Sequence, residues 1–246
     1  MIKLLEKELQ GKYEEKYTND FIKELDLRAD IKFILLCYDP MFKKVFGNNT
    51  KILKKFFMKV LHLDIKEDKC RMVIGVNELP KEQDKNYGSR EDINVIINDT
   101  IRINLEVNQE VFKDIADRNF LFASKMHTLN VESGTKYKDF YKYETIQLNL
   151  NTHHYGTEIN GEYIFYIKSE NTGNRLVNNF KIVIKDLAYF HNLYYTKNGK
   201  CDEDQIWLAM LMSENFTELN DFLEVLLNKE ERQHYSKVCQ TVANGQ

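Results

Sequence analysis

Strict alternation of apolar and polar side chains in two neighbouring segments constrains the fold of this chain more than any other feature. In residues 101–108 every odd position is apolar and every even position is polar. Residues 92–97 repeat the pattern with Ile93, Val95 and Ile97. A period of two is that of a β-strand, whose successive side chains point to opposite faces. Both segments therefore predict strands with one apolar face and one polar face.

The two predicted strands fit together as a hairpin in only one register. Both apolar sets must lie on the same side of the sheet, because a one-residue slip would expose one whole set. A loop at Asn98-Asp99-Thr100 places opposed residues so that their numbers sum to 198. Asp92 then lies opposite Glu106, and opposed β-carbons are about 4.5–5.5 Å apart.

Two carboxylates this close repel each other and would be stabilised by a cation between them. Oxygen ligands favour Mg²⁺ or Mn²⁺ over zinc. Asn108 lies two residues beyond Glu106 on the same face, where its amide could hold a water molecule or a phosphate oxygen. The pattern is also typical of a solvated polar face with an incidental acidic pair. From the residues alone that alternative is favoured, because charged outer faces of sheets are common.

The rest of the chain predicts further helices and strands in mixed order. Asp39 is suited to cap a short helix, and Gly47 fits just past the end of that helix. The tail from Asp202 is predicted to be helical. Its expected core anchors are Trp207, Leu211, Phe222 and Leu226. The other predicted helices cover residues 1–37, 50–63 and 111–132, and the other strands 71–77, 144–150, 162–168 and 180–186. This order predicts an α/β fold with a mixed β-sheet flanked by helices. We expect an N-terminal helical segment at 1–38, a core at 39–196 and a helical C-terminal extension packed on it at 197–246.

Composition excludes several classes of protein. With 246 residues and 43% apolar side chains, the chain is long enough for one sizeable domain. No apolar run is long enough to cross a membrane, and the charged N-terminus lacks the apolar stretch of a signal peptide. We therefore expect a cytoplasmic protein. The net charge of −3 does not by itself indicate a nucleic-acid partner.

Several motifs, in this order and spacing, resemble one known family. They are "DPMFKKVFGNNTKILKKFF", "EDINVIINDTIRINLEVN" and "RNFLFASKMHTLNVESGTKYKDFYKYETIQLNL". Over roughly residues 30–190 the chain is similar to the recombination-promoting nuclease and transposase group of the PD-(D/E)XK superfamily. The resemblance implies a restriction-endonuclease-like fold and metal-dependent endonuclease cleavage of DNA, in recombination, a mobile element or phage–host conflict.

The resemblance also assigns roles to residues of this chain. Asp92 and Glu106 match the family's acidic metal ligands, and the backbone carbonyl of Val107 would be a further ligand of Mg²⁺ or Mn²⁺. Asn108 occupies the third catalytic position, where the superfamily usually has Lys and this group usually has Gln. Asn can hydrogen-bond a water molecule but cannot neutralise charge as Lys does. Gln109 is adjacent, but strand alternation turns it to the other face unless a bulge intervenes.

Other residues have one functional interpretation and one structural interpretation. Asp39 is either a third acidic residue near the metal or a helix cap, and Gln147 either reaches the site or is simply exposed. Arg118 either contacts a DNA phosphate, braces the site or pairs with Asp114 at the surface. The pair His153-His154 is interpreted as a loop feature. Residues 41–60 contain no acid and six lysines, namely Lys43, Lys44, Lys51, Lys54, Lys55 and Lys59. Lys51, Lys55 and Lys59 form a basic stripe on one helix, and this basic segment either tracks DNA phosphates or is a solvated helix face.

A rival hypothesis belongs to a different class of function. A nuclease-fold protein that has lost catalysis would serve as a module that binds DNA or a protein partner, as an inhibitor or adaptor. The departure at Asn108 favours this rival, whereas the intact pair Asp92 and Glu106 favours the enzyme. A homodimer is compatible with both hypotheses.

Overall fold

The centre of the structure, a computed structural model, is a six-stranded mixed sheet. The structure describes residues 33, 35–47, 50–75, 78–79, 89–90, 93–109, 114–128, 136, 143–155 and 160–228. The strands are β1 (Met72–Ile74), β2 (Glu78–Leu79), β3 (Ser89–Arg90), β4 (Ile93–Ile97), β5 (Ile101–Asn108), β6 (Glu144–Asn151), β7 (Glu162–Phe165) and β8 (Phe180–Asp186). The sheet has the order β1-β4-β5-β6-β8-β7, and β2 and β3 form a separate two-stranded pair.

Six α-helices accompany this sheet among the described residues. They are α1 (Asp39–Phe46), α2 (Thr50–Val60), α3 (Ile115–Thr128), α4 (Leu187–Thr196), α5 (Glu203–Met210) and α6 (Phe216–Leu226). The prediction of an α/β fold with a mixed sheet flanked by helices is confirmed. Residues 1–32, most of the predicted N-terminal helical segment, lie outside the described residues. None of the helices in the described ranges is long and apolar enough to span a membrane.

The predicted hairpin register is confirmed. Ile93 pairs with Leu105, Val95 with Ile103 and Ile97 with Ile101, so opposed numbers sum to 198. Asn98 and Asp99 both have positive φ, at 49° and 53°, a conformation that Asn and Asp tolerate better than most residues. The Asn98 side chain also accepts a hydrogen bond of 2.7 Å from the backbone N–H of Arg71. The three-residue loop is therefore stabilised by its own sequence and by the adjacent β1.

The central strands β5, β6 and β8 run parallel, and β4 and β7 flank them as antiparallel strands. One face of this sheet packs on the main core. Odd-numbered side chains of β5 and even-numbered side chains of β6 join buried residues of α1, α2, α4, α5 and α6 in one apolar cluster. The four predicted anchors of the tail, Trp207, Leu211, Phe222 and Leu226, all belong to this cluster.

Several predicted boundaries need correction. Tyr38, and not Asp39, is the cap residue of α1, so the helix begins one residue earlier than predicted. It ends at Phe46, with Gly47 just past its end as predicted. Helix α2 ends at Val60 and not near residue 63, because His62 adopts a positive φ of 50°. Strand β7 is four residues long, shorter than the predicted 162–168. Helix α4 was not predicted, because its aromatic residues Tyr189, Phe190, Tyr194 and Tyr195 give no single apolar stripe.

Helix α3 covers the opposite face of the sheet. The Arg102 guanidinium donates a 2.9 Å hydrogen bond to the backbone carbonyl of Met126. The Nδ1 atom of His127 lies 2.9 Å from the hydroxyl oxygen of Thr145. The centroid of the His127 ring lies 5.5 Å from the centroid of the Phe180 ring. Burial, and secondarily the positive charge of Arg102, lowers the pKa of His127 below its ordinary value of 6.5.

Replacement of Trp207 by Ala should lower the free energy of unfolding by about 3–5 kcal/mol. The indole is fully buried and meets the ring of Phe56 edge to face at 6.1 Å. Trp207→Phe should lower the free energy of unfolding much less than Trp207→Ala, because an aromatic ring still fills most of the space. The indole N–H that it removes has no hydrogen-bond partner among the described residues. Urea denaturation followed by circular dichroism measures both. Equal losses for Ala and Phe would contradict this account of the core.

Acid should destabilise the protein partly through His127. The lowered pKa means that the unfolded chain takes up a proton as the pH falls through about 6.5, while the folded protein resists it, so stability declines below that pH. His127→Gln should therefore lose less stability between pH 7.5 and pH 5.5 than the wild type, with the exposed His153→Gln as control. Urea midpoints at the two pH values provide the measurement. A loss as large as that of the wild type would contradict the prediction.

Candidate active site

The polar side chains of β5 lie inside the protein, not in solvent. Glu106 is 1% exposed, and the solvated polar face considered from the sequence is therefore wrong. Strand β6 adds a second polar row, because Glu106 pairs with Asn149 and Asn108 pairs with Asn151 across the parallel ladder. The buried polar residues of these two strands are Arg102, Asn104, Glu106, Asn108, Thr145, Gln147, Asn149 and Asn151.

The Glu106 carboxylate has a hydrogen-bond donor at each oxygen. The Asn104 amide nitrogen lies 3.3 Å from Oε1, and the Arg118 guanidinium nitrogen Nη2 lies 2.9 Å from Oε2. Arg118 is on the first turns of α3, and its side chain is 40% exposed, against 2% for Glu106. The pairing of Arg118 with Asp114 considered from the sequence is replaced by this contact, which braces the site. A buried carboxylate is thus compensated by a cation that reaches it from the surface.

A chain of amides extends from Glu106 into the sheet. Asn104 donates to Gln147 Oε1 at 2.9 Å, and Gln147 donates to Asn149 Oδ1 at 3.3 Å. Gln147 is fully buried, so its alternative interpretation as an exposed residue is wrong. The chain fixes the orientation of three amides on the face that carries Glu106.

Some buried polar atoms beside Glu106 lack a hydrogen-bond partner among the described residues. They include Asn104 Oδ1, on the residue whose amide donates to Glu106, and Asn149 Nδ2, on the residue that pairs with Glu106 in the sheet. An unsatisfied buried oxygen next to a buried carboxylate fits a hard cation, since Mg²⁺ and Mn²⁺ prefer oxygen ligands. The Glu106 carboxylate and the Asn104 amide oxygen are therefore compatible with the divalent metal that the sequence resemblance implies.

The partner carboxylate predicted for Glu106 cannot be placed. Asp92 lies outside the described residues, as do the side chains of Asp39 and Lys44. Within the described ranges, no group of three or more His, Cys, Asp or Glu side chains could hold a metal ion. Val107, the predicted carbonyl ligand, is the next residue after Glu106 in β5, and its side chain is buried in the main core. The metal-ligand set therefore stays a prediction.

A second polar group lies at the carboxyl ends of the parallel strands and adds two residues missed from the sequence, Asn151 and Asp186, to Asn108 and His154. Asn108 donates to Asn151 Oδ1 at 3.0 Å, and Asn151 pairs with Asp186 in the next strand. Asp186 is 1% exposed, and its Oδ2 lies 2.6 Å from Nδ1 of the exposed His154. The shared position of these residues at strand ends was the signal, because ligands often bind at such edges.

The predicted basic stripe lies on the other side of the sheet. Helix α2 packs its buried residues into the main core, away from Glu106. Lys55 donates to the backbone carbonyl of Leu226 at 2.9 Å, and Lys59 lies 2.6 Å from the Glu203 carboxylate. Lys51 is exposed and Lys43 is partly buried. Intramolecular contacts thus account for two of the lysines.

Gln109 points away from the polar face, as strand alternation predicts. Its amide nitrogen donates to the backbone carbonyl of Cys37 at 3.2 Å. The amide of Gln109 is therefore not beside Glu106, and Asn108 is the polar residue that follows Glu106 on that face.

Comparison with known proteins agrees with this architecture. A family model described as PD-(D/E)XK nuclease family transposase matches residues 36–242. No curated protein and no solved structure matches the chain significantly. Nucleases of the PD-(D/E)XK type generally use divalent metal ions, and membership supports a nuclease or transposase-like role with DNA as the substrate. The match covers most of the chain, and the mixed sheet with flanking helices is consistent with a restriction-endonuclease-like fold. The chain belongs to the PD-(D/E)XK nuclease family transposases.

Proposed function

We propose that this chain is a DNA endonuclease that uses Mg²⁺ or Mn²⁺ to hydrolyse phosphodiester bonds. The observation that supports the proposal most is the buried Glu106 carboxylate, which lies next to the unsatisfied Oδ1 of Asn104 on the polar face. Arg118 compensates the charge of Glu106 at Oε2. The amide oxygen of Asn104 beside it, unpaired among the described residues, is the kind of ligand that Mg²⁺ and Mn²⁺ prefer. The family supplies the biological expectation of recombination, a mobile element or phage–host conflict, by analogy only.

Asp92, Glu106 and the carbonyl of Val107 would hold the metal. Asp92 directly precedes Ile93, which pairs with Leu105, so the register favours Asp92 as the neighbour of Glu106. A bound divalent ion would lower the pKa of a water molecule and offset the charge on the phosphate. Asn104 and Gln147 would act by holding Glu106 in place through the amide chain.

Asn108 would orient the attacking water by a hydrogen bond. The water oxygen would form a bond to phosphorus, and the bond from phosphorus to the leaving oxygen would break. The attacking water would release a proton to solvent, and the leaving oxygen would take up a proton from solvent. Asn108 already donates to Asn151, so its position is fixed by the next strand. Because an amide carries no charge, Asn108 would stabilise the developing negative charge less than a lysine does.

DNA would contact the protein through basic side chains. Arg118 is the member of this set that lies beside Glu106. The other members of the proposed set, Lys43, Lys44, Lys51 and Lys55, belong to α1 and α2 on the side of the sheet away from Glu106, so they would contact DNA at a distance from the cleaved bond.

The rival function, a binding module without catalysis, is favoured by two observations. Asn108 replaces the charged residue of the superfamily, and the Arg118 guanidinium already compensates Glu106. Cleavage assays distinguish the two functions.

Wild-type protein should nick or linearise supercoiled plasmid in Mg²⁺ or Mn²⁺. Asp92→Asn and Glu106→Gln should each lower the rate by about 100-fold or more, because loss of a metal ligand removes several kcal/mol of transition-state stabilisation. The exposed Glu170→Gln is the matched control and should cleave like the wild type. Absence of cleavage by the wild type on supercoiled, linear and single-stranded DNA would favour the binding module.

Substitutions of Asn108 test whether its side chain takes part in the reaction. Asn108→Ala should lower the cleavage rate by roughly 100-fold, the lower end of the effect of a positioned group in proton transfer. Asn108→Lys should cleave at least as fast as the wild type, since it adds the missing charge. Asn151→Ala removes only the hydrogen bond between the two amides and should cost less than Asn108→Ala. An unchanged rate in Asn108→Ala would show that Asn108 has no part in the reaction.

A further inference from the structure

We propose that the Arg118 guanidinium is a built-in counter-ion of Glu106 that a divalent metal must displace before the site is loaded. The inference rests on the proposed function, because it concerns the same carboxylate. It adds a control on metal binding: the affinity of the site for metal is set by competition with a side chain of α3.

The first argument is the occupancy of the carboxylate. Arg118 Nη2 lies 2.9 Å from Oε2, and the amide of Asn104 lies 3.3 Å from Oε1. Arg118 is therefore the positively charged donor at Oε2. A divalent ion bonded to Oε2 would be repelled by a guanidinium that stayed at hydrogen-bond distance from the same oxygen. A metal ion bonded to Oε2 therefore competes with the Arg118 guanidinium for the same oxygen.

The second argument is the difference in burial between the partners. The Glu106 side chain is 2% exposed and cannot move to solvent, whereas the Arg118 side chain is 40% exposed. The guanidinium carbon also lies 5.1 Å from the centroid of the Phe122 ring, one turn further along α3. Arg118 thus has solvent available when it leaves Glu106, whereas its contact with Phe122 already exists in the paired position.

Arg102 provides the contrast within the same face. It is 2% exposed, donates to the carbonyl of Met126, and its guanidinium carbon lies 4.7 Å from the Tyr143 ring centroid. Its contacts are structural links between β5 and α3, and no exposed route leads away from them. Of these two arginines, only Arg118 combines a contact to Glu106 with partial exposure.

Isothermal titration of the full chain with Mn²⁺ tests the proposal. Wild-type binding includes the cost of breaking the Glu106–Arg118 pair, so Arg118→Gln should bind Mn²⁺ about tenfold more tightly. Arg118→Lys keeps a positive charge but loses the planar donor group. Its Kd for Mn²⁺ should lie between that of the wild type and that of Arg118→Gln. Arg71→Gln is the matched control, because it removes an exposed arginine that pairs with Asp99; its Kd should equal that of the wild type.

The outcomes separate the inference from the proposed function. If the wild type does not bind Mn²⁺, the proposed function fails. If the wild type binds Mn²⁺ and Arg118→Gln binds it more weakly, Arg118 supports the metal site. If the two bind equally, Arg118 has no effect on metal affinity. Either result overturns the inference, while the proposed function stands. If Arg118→Gln does not fold, the comparison of Arg118→Lys with the wild type decides, and a Kd that is not lowered overturns the inference.

Discussion

The burial of the Glu106 carboxylate is the constraint on which the candidate site depends. An ionised carboxylate without water is strongly destabilising unless charge and hydrogen bonds compensate it. Here compensation comes from two directions, the Asn104 amide within β5 and the Arg118 guanidinium from α3. The helix therefore does more than cover the sheet. It supplies the positive charge that allows a carboxylate to exist at that position.

The two faces of the sheet have different roles: one packs on the apolar core and stabilises the fold, and the other contains the polar residues of the candidate site. Parallel strands buried on both sides usually consist of apolar residues throughout. In β5 and β6 only one face is apolar, and it meets the helices of the main core, whereas the other face contains amides, Arg102 and Glu106. Such a polar layer is tolerable only where its groups satisfy one another, which the Asn104–Gln147–Asn149 chain largely achieves. Two of the atoms left unsatisfied among the described residues, Asn104 Oδ1 and Asn149 Nδ2, belong to residues next to Glu106 in the sheet and mark the place where a ligand would complete the layer.

Local pattern was sufficient to predict the hairpin, its register and the anchors of the C-terminal helices. Period-two alternation fixes which residues oppose each other, so the pairing of Ile93 with Leu105 follows from the sequence alone. The burial of the polar face does not, because it depends on how α3 docks, and the alternation is the same for a solvated face. The contact of His154 with Asp186 joins residues 32 positions apart through the parallel pairing of β6 and β8, which no local signal specifies.

The most direct test of the central claim, that the polar face around Glu106 holds a divalent metal, is a crystal structure with Mn²⁺ located by its anomalous scattering. The account predicts one peak at bonding distance, about 2.0–2.6 Å, from a Glu106 carboxylate oxygen and from Asp92. In that structure the Arg118 guanidinium should no longer contact Oε2. No peak at Glu106, with Arg118 still bound to it at saturating Mn²⁺, would contradict the account.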